Sequence, residues 1–167
     1  MKLQMMTNHN CFVYSCAMVM DVPAQVIFNH IGHEGMTIWW PNESGAAQHR
    51  GVHFQEVLDY AMDNDWAMIP IHRRAMLAPN RDVEPKLAMN GSTMIENWMM
   101  LLSGVIIHAP VSGPGAAHAQ AWDHGTYKLY DPRGTIIDDT SITTLADSCH
   151  MFVAFTKMAE YEPPYYA

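Results

Sequence analysis

Residues 115–134 read GAAHAQAWDHGTYKLYDPRG, a pattern typical of a β-hairpin. Within it, residues 117–122 and 126–130 are short strand-like runs, and the Asp-His-Gly sequence between them is a tight hairpin signal. The stretch therefore predicts two neighbouring antiparallel strands. His118 then falls opposite roughly residue 130, so we expect its imidazole and the carboxylate of Asp131 to meet at one end of the pair.

The regions around this hairpin complete the pattern. Further strand-like runs lie at residues 66–71, 105–108 and 151–155. Helices are predicted at residues 11–20, 24–32, 52–62 and 93–102. Helices that come first and strands that come last indicate an α+β domain with an antiparallel sheet. We expect one domain over residues 1–160, followed by a flexible tail at 161–167.

Composition limits the classes of function. Nine basic and 17 acidic side chains in 167 residues give a formal net charge of −8 with histidine neutral. Phosphate contacts need clustered cations, so no nucleic-acid-binding face is expected. No apolar run approaches the roughly 20 residues of a membrane span, and the N-terminus has no stretch of signal-peptide length. The three cysteines, which cannot all pair within one chain, predict free thiols in a cytoplasmic protein.

Cys11 is the candidate nucleophile, because it stands where a polar N-terminal stretch becomes an apolar helical run. A helix N-terminus carries partial positive charge and free amide groups, which stabilise a thiolate and can bind an oxyanion. A nucleophilic thiol also needs a base and a third group that orients the base. His118, which has small neighbours, and Asp131 are the candidates for these two roles.

The order and setting of these residues resemble the papain-like cysteine peptidase superfamily, most closely the bacteriocin-processing (double-glycine) peptidases and small phage-encoded proteins related to them. A cysteine opens the first helix in the sequence NCFVYSCAMV, a histidine follows far downstream in a Gly-x-x-His-Ala-x-Ala strand, and an Asp-Pro-x-Gly turn comes soon after. IGHEG at residues 31–35, WP at 40–41 and RGVHFQE at 50–56 are similar to motifs of the phage group. The resemblance implies a papain-like fold, in which N-terminal helices pack on a C-terminal antiparallel sheet.

Carried over residue by residue, the resemblance implies Cys11 as nucleophile, His118 as general base and then general acid, and Asp131 as the group that orients the imidazole. It implies a cysteine-dependent hydrolase that cleaves an amide or isopeptide bond of a peptide or protein through a thioester, without a cofactor or a metal. A phage-encoded protein of this kind would act in the host bacterial cytoplasm.

The oxyanion donor and the residue after the nucleophile fit the resemblance less closely. In such enzymes a glutamine shortly before the cysteine donates to the oxyanion together with the cysteine's own amide. Gln4 is the candidate, although it lies one residue farther upstream than is usual, and Asn8 or Asn10 are alternatives. Phe12 stands where a small residue is common, and its ring would narrow the substrate cleft.

Three tryptophans are further candidates for the cleft beside Phe12. Trp39 and Trp40 lie in a long irregular loop, where they either flank the cleft or fold back on the core. Trp122 lies in the same strand as the candidate base. Each of these rings would select an apolar group of the substrate.

Two other classes of function are open from the sequence. The first is a catalytically silent papain-like protein that binds and inhibits a bacterial host protein through its acidic, tryptophan-bearing surface. The second is a metal-binding domain built on histidine pairs such as His30 with His33 and His49 with His53, although these pairs lack the cysteine or carboxylate context of a zinc site. Cys16 is expected in the core.

Overall fold

A computed structural model of the chain describes residues 1–7, 10–35, 52–73, 91–108, 117–138 and 141–158. The loop that holds Trp39 and Trp40 and the tail predicted at 161–167 lie outside these residues. The helices are α1 (Cys11–Met20), α2 (Ala24–Ile31), α3 (Phe54–Asp63), α4 (Gly91–Leu101) and α5 (Ile142–Ser148). The strands are β1 (Trp66–His72), β2 (Gly104–His108), β3 (His118–Asp123), β4 (Lys128–Asp131), β5 (Thr135–Ile137) and β6 (Met151–Lys157).

The six strands form one sheet in the order β1-β6-β2-β3-β4-β5, and every neighbouring pair is antiparallel. The alternation of side chains along each strand gives the sheet two apolar faces. On one face α1, α2 and α3 cover Val105, Ala119 and Val153. On the other face α4 and α5 cover Ile106, Trp122, Phe152 and their neighbours. The protein is therefore an α+β structure with helices on both faces of the sheet.

Helix α1 is the element that positions the candidate nucleophile. Its residues are apolar on most sides, and such a helix is stable only where it is enclosed. Val13, Cys16 and Ala17 have no exposed surface, and the helix packs against β3. Asp21 ends the helix in the left-handed conformation, and its amide donates to Ala17 and Met18. The prediction that Cys16 belongs to the core is confirmed.

The predicted helices and strands are present with small shifts at their ends, but two elements were missed. Neither β5 nor α5 was predicted, because Thr135–Ile137 has only three residues and Ile142–Ser148 only seven. The predicted strand pairing was wrong. Ala121 and not His118 lies opposite Tyr130, since the connection runs through residues 124–127 and Asp123 pairs with Lys128.

In the described part of the chain no single helix has the length and apolar character to cross a membrane. Helices α1 and α2 pass that test only as a pair, with a bend of 116° between them.

Candidate active site

The thiol of Cys11 lies against the main chain of β3 at His118. Cys11 is the first residue of α1, and its Sγ accepts a hydrogen bond from the amide of Ala119 at 3.3 Å. Sγ also lies 3.8 Å from the carbonyl oxygen of Ala117, to which the thiol donates. These two main-chain groups flank His118 in the sequence. The helix thus brings the thiol to the main chain on both sides of His118, although more than a hundred residues separate the two in sequence.

The space for Sγ exists because β4 is shorter than β3. The pairing of β3 with β4 extends from Asp123 only to Ala121, and the chain after Asp131 turns away at Pro132, which has no amide hydrogen. The amide of Ala119 therefore points to an edge where no strand continues. Sγ takes the place of a hydrogen-bond acceptor on the next strand.

Asp131 and His118 form a direct hydrogen bond. His118 Nε2 lies 2.8 Å from Asp131 Oδ2, and the same oxygen accepts from the side-chain amide of Gln120 at 2.7 Å. The other carboxylate oxygen, Oδ1, accepts from the amide of Arg133 at 2.8 Å, within the turn that follows β4. Burial by itself would raise the pKa of Asp131, but these donors outweigh it and hold the pKa below its ordinary value.

This hydrogen bond decides which nitrogen of His118 carries the proton. An ionised carboxylate only accepts hydrogen bonds, so Nε2 of His118 is the protonated nitrogen. Nδ1 then has a free lone pair in the neutral ring, as a general base requires. The sequence prediction that His118 and Asp131 lie together agrees with this geometry, although Asp131 reaches the imidazole diagonally, beside Gln120.

The three thiols differ in exposure and acidity. Burial raises the pKa of Cys11. The amides of Ala119 and Phe12 and the positive charge of Arg133 act in the opposite direction and lower the pKa, but burial is the larger effect. Cys11 is partly exposed, whereas Cys16 and Cys149 are buried. Burial raises the pKa of Cys149 to about 11 and that of Cys16 well above its ordinary value. In this structure Cys11 is the thiol that solvent reaches, and at neutral pH it rests in the protonated form.

Gln4 is not brought to Cys11. Its side chain donates to the carbonyl oxygen of Val22 at 2.6 Å and accepts from the amide of Ala24 at 2.9 Å, both in the connection between α1 and α2. At 1.5 Å per residue the ends of α1 are roughly 15 Å apart, and Gln4 lies at the end opposite Cys11. Its two bonds to the main chain hold it there.

Of the two alternative oxyanion donors, Asn8 and Asn10, the structure describes Asn10. Asn10 is buried directly before Cys11, and its side-chain amide nitrogen donates to the carbonyl oxygen of Glu34. Asn8 lies outside the described residues. The donor that the structure places at the thiol is main chain: Cys11 begins α1, and the first amides of a helix have no acceptor within it.

Trp122 is a core residue and not a cleft residue. It has no exposed surface, and its indole nitrogen donates to the carbonyl oxygen of Met99 at 2.8 Å, on α4. Phe12, the residue after Cys11, is partly buried and packs against Phe54 with 6.1 Å between the ring centroids. The cleft prediction is thus wrong for Trp122, while Phe12 keeps a place beside the site.

Sequence reasoning missed Gln120 and His108. Gln120 is buried and donates to Asp131, and its Oε1 lies 3.0 Å from His108 Nε2. The period of two along a strand was a usable signal, because it places His118 and Gln120 on one face of β3. His108 was not detectable in this way, since only the observed register pairs it with His118.

The histidine pairs considered for a metal have other contacts. His33 Nε2 bonds Glu56 Oε1 at 2.9 Å, whereas His30 faces Asp63 at 3.6 Å. His53 is the N-cap of α3, and His49 lies outside the described residues. Among the described residues no group of three histidine, cysteine or acidic side chains is arranged to hold a metal ion.

Comparison of the chain with protein-family models, with curated proteins and with solved structures finds no match.

Proposed function

We propose that the chain is a cysteine-dependent hydrolase that cleaves an amide or isopeptide bond of a peptide or protein through a thioester. The observation that carries this proposal is the position of Cys11 Sγ. Sγ accepts a hydrogen bond from the amide of Ala119 and donates to the carbonyl oxygen of Ala117, the residues on either side of His118. The imidazole of His118 is hydrogen-bonded to Asp131. A nucleophile, a base and an orienting carboxylate are the groups that acyl transfer requires.

The proposed reaction begins when the thiol turns from Ala117 O and gives its proton to Nδ1 of His118. Sγ attacks the carbonyl carbon, and the electron pair of the C=O bond moves to the oxygen. The amide of Cys11 at the start of α1 stabilises that oxyanion. As the C–N bond breaks, the imidazolium gives its proton to the leaving nitrogen, and a thioester remains. Water, deprotonated by His118, then releases the acid and restores the thiol.

We also propose that the fold is papain-like. In support, the first helix carries the cysteine at its N-terminus and packs on an antiparallel sheet whose strands carry the histidine and the carboxylate. The hydrogen bond from Nε2 to the carboxylate leaves Nδ1 for the thiol, as this proposal requires. Gln4 has no part in the proposed oxyanion site.

The silent binding protein is the second candidate, and one observation favours it. Burial raises the pKa of Cys11, and the thiol donates to a main-chain carbonyl, so the resting site holds a thiol and not a thiolate. A binding protein would have no use for proton transfer between Cys11 and His118. The two functions therefore differ in whether His118 governs the reactivity of Cys11.

Alkylation by iodoacetamide, followed by peptide mapping, tests this difference. We expect Cys11 to react much faster than Cys16 and Cys149, which are buried internal controls. His118→Ala should slow the alkylation of Cys11 at pH 7 about tenfold, the equivalent of one hydrogen bond to a charged group. His124→Ala, on the exposed turn after β3, is the matched control and should leave the rate unchanged. Equal rates for wild type and His118→Ala would reject the hydrolase and favour the binding protein.

A further inference from the structure

A chain of hydrogen bonds continues from the site into the sheet. His118 Nε2 and Gln120 Nε2 both reach Asp131 Oδ2, at 2.8 and 2.7 Å. Gln120 Oε1 in turn lies 3.0 Å from Nε2 of His108, the last residue of β2. Four side chains on three neighbouring strands are thus linked in one row.

Asp131 fixes the direction of every bond in this row. Its pKa lies below the ordinary value, so the carboxylate is ionised at neutral pH and only accepts. Gln120 must therefore present its NH2 group to Asp131 and its carbonyl oxygen to His108. Nε2 of His108 must then carry a hydrogen. With these directions set, each of the three bonds joins a donor to an acceptor, which a buried polar network needs in order to be rigid.

The packing of the sheet does not require a polar side chain at position 120. Gln120 is buried between Ile106, its partner on β2, and Trp122, the next residue on its face. A buried amide and carboxylate contribute little to stability compared with apolar side chains of similar volume. An apolar side chain at 120 would serve packing as well, but Asp131 Oδ2 would then be held by His118 alone. The carboxylate would be free to turn about the bond that Arg133 secures at Oδ1.

We propose that Gln120, held by His108, is a positioning residue that fixes Asp131 and thereby keeps His118 in the tautomer with a free Nδ1. The inference rests on the proposed function and adds two residues to the machinery behind the base. Both act through Asp131. They order the imidazole before substrate binds, so less reorganisation is needed when the proton leaves Cys11.

Two variants test the row. Gln120→Met has similar length and no hydrogen-bonding group, and His108→Phe keeps a ring while it removes the donor to Gln120. Nitrogen NMR of protein labelled at histidine, with the His118 signal assigned from His118→Ala, reads the tautomer directly. We expect Nε2–H alone in wild type and a mixture of tautomers in Gln120→Met, with alkylation of Cys11 about threefold slower at pH 7, a smaller loss than in His118→Ala because part of the imidazole stays in the competent tautomer. His108→Phe should give the same changes to a smaller extent.

Gln55→Met, on the exposed side of α3, is the matched control and should alter neither readout. A thermal melt identifies any variant that does not fold, and the other variant then decides. The positioning role is refuted if His118 controls Cys11 in wild type but Gln120→Met and His108→Phe leave its tautomer and the alkylation rate unchanged. The proposed hydrolase fails separately, if His118→Ala does not slow the alkylation of Cys11 in an otherwise wild-type chain.

Discussion

Asp131 accepts hydrogen bonds from three donors, which come from two parts of the local structure. The amide of Arg133 belongs to the turn after β4, whereas His118 and Gln120 lie on β3. The turn sequence Asp-Pro-x-Gly by itself explains only the first of these bonds. The bonds from β3 are what connect this turn residue to the chemistry of the thiol.

The lowered pKa of Asp131 predicts a pH-dependent contribution to stability. Because the folded pKa is below the unfolded one, the contribution is complete above the unfolded value of about 3.9 and is lost as the pH falls through the folded value. Asp131→Asn should reduce the free energy of unfolding by about 2 kcal/mol at pH 6, and the difference should shrink as the pH falls below about 4. Urea titrations at several pH values measure it.

Asp59→Asn, on the exposed side of α3, is the control for this experiment and should change stability little at any pH. A difference between wild type and Asp131→Asn that stayed constant from pH 6 to acid would contradict the ionised, hydrogen-bonded carboxylate.

Which residues were predictable depended on how local their signals were. Cys11 at a helix start, His118 among small residues and Asp131 at a strand end each have a local setting that the sequence displays. The position of Gln4 depends on where the N-terminal segment lies along α1, and sequence distance from Cys11 contains no information about that. The side-chain amide of Gln4 forms its hydrogen bonds just beyond the C-terminal end of α1, far from Cys11.

Among the elements, α1 contains one polar side chain that the packing does not satisfy. Ser15 is fully buried, and its Oγ has no hydrogen-bond partner among the residues that the structure describes. An unpaired buried hydroxyl is unfavourable by about 1–3 kcal/mol. We therefore expect Ser15→Ala to raise the free energy of unfolding by about 1 kcal/mol in urea titrations.

The matched substitution is Ser141→Ala at the N-cap of α5, where the hydroxyl accepts from the amide of Thr144. This change should lower the free energy of unfolding by about 1 kcal/mol. Opposite signs for the same chemical change would separate an unsatisfied hydroxyl from a satisfied one, and a loss of stability in Ser15→Ala would contradict the interpretation of α1.

Strand pairing was less predictable than the strands themselves. The hairpin signal at Asp123-His124-Gly125 correctly indicated a turn, but the connection also includes Tyr127, which adopts a positive φ of 55°. Turn residues are compatible with several loop conformations, so the packing of β3 and β4 in the sheet determines the length of the loop. The observed pairing of β3 with β4 is therefore shifted by three positions from the predicted pairing.

At the scale of the whole molecule, residues 1–7 connect distant parts of the chain. Gln4 bonds the connection between α1 and α2, and the amide of Met6 donates to the carbonyl oxygen of Pro132 at 2.8 Å, beside the candidate site. The segment thereby ties the first two helices to the end of β4.

Gln4→Ala tests whether this residue is structural. Loss of its two hydrogen bonds should lower the free energy of unfolding by about 2 kcal/mol. It should leave the acylation of Cys11 by p-nitrophenyl acetate unchanged, because this reaction passes through an oxyanion that Gln4 does not reach. Gln25→Ala, on the exposed side of α2, is the control for stability. Slower acylation in Gln4→Ala would return this residue to the oxyanion site.

The sheet order has a consequence for how the chain is made. Strand β1 lies at one end of the sheet and its neighbour there is β6, the last strand in the part of the chain that the structure describes. A strand pair so far apart in sequence has a high contact order, which slows folding. On the ribosome β1 emerges long before β6, so the apolar side chains of β1 remain without this partner strand until β6 has been synthesised. The sheet that carries His118 and Asp131 is thus complete only when β6 pairs with β1.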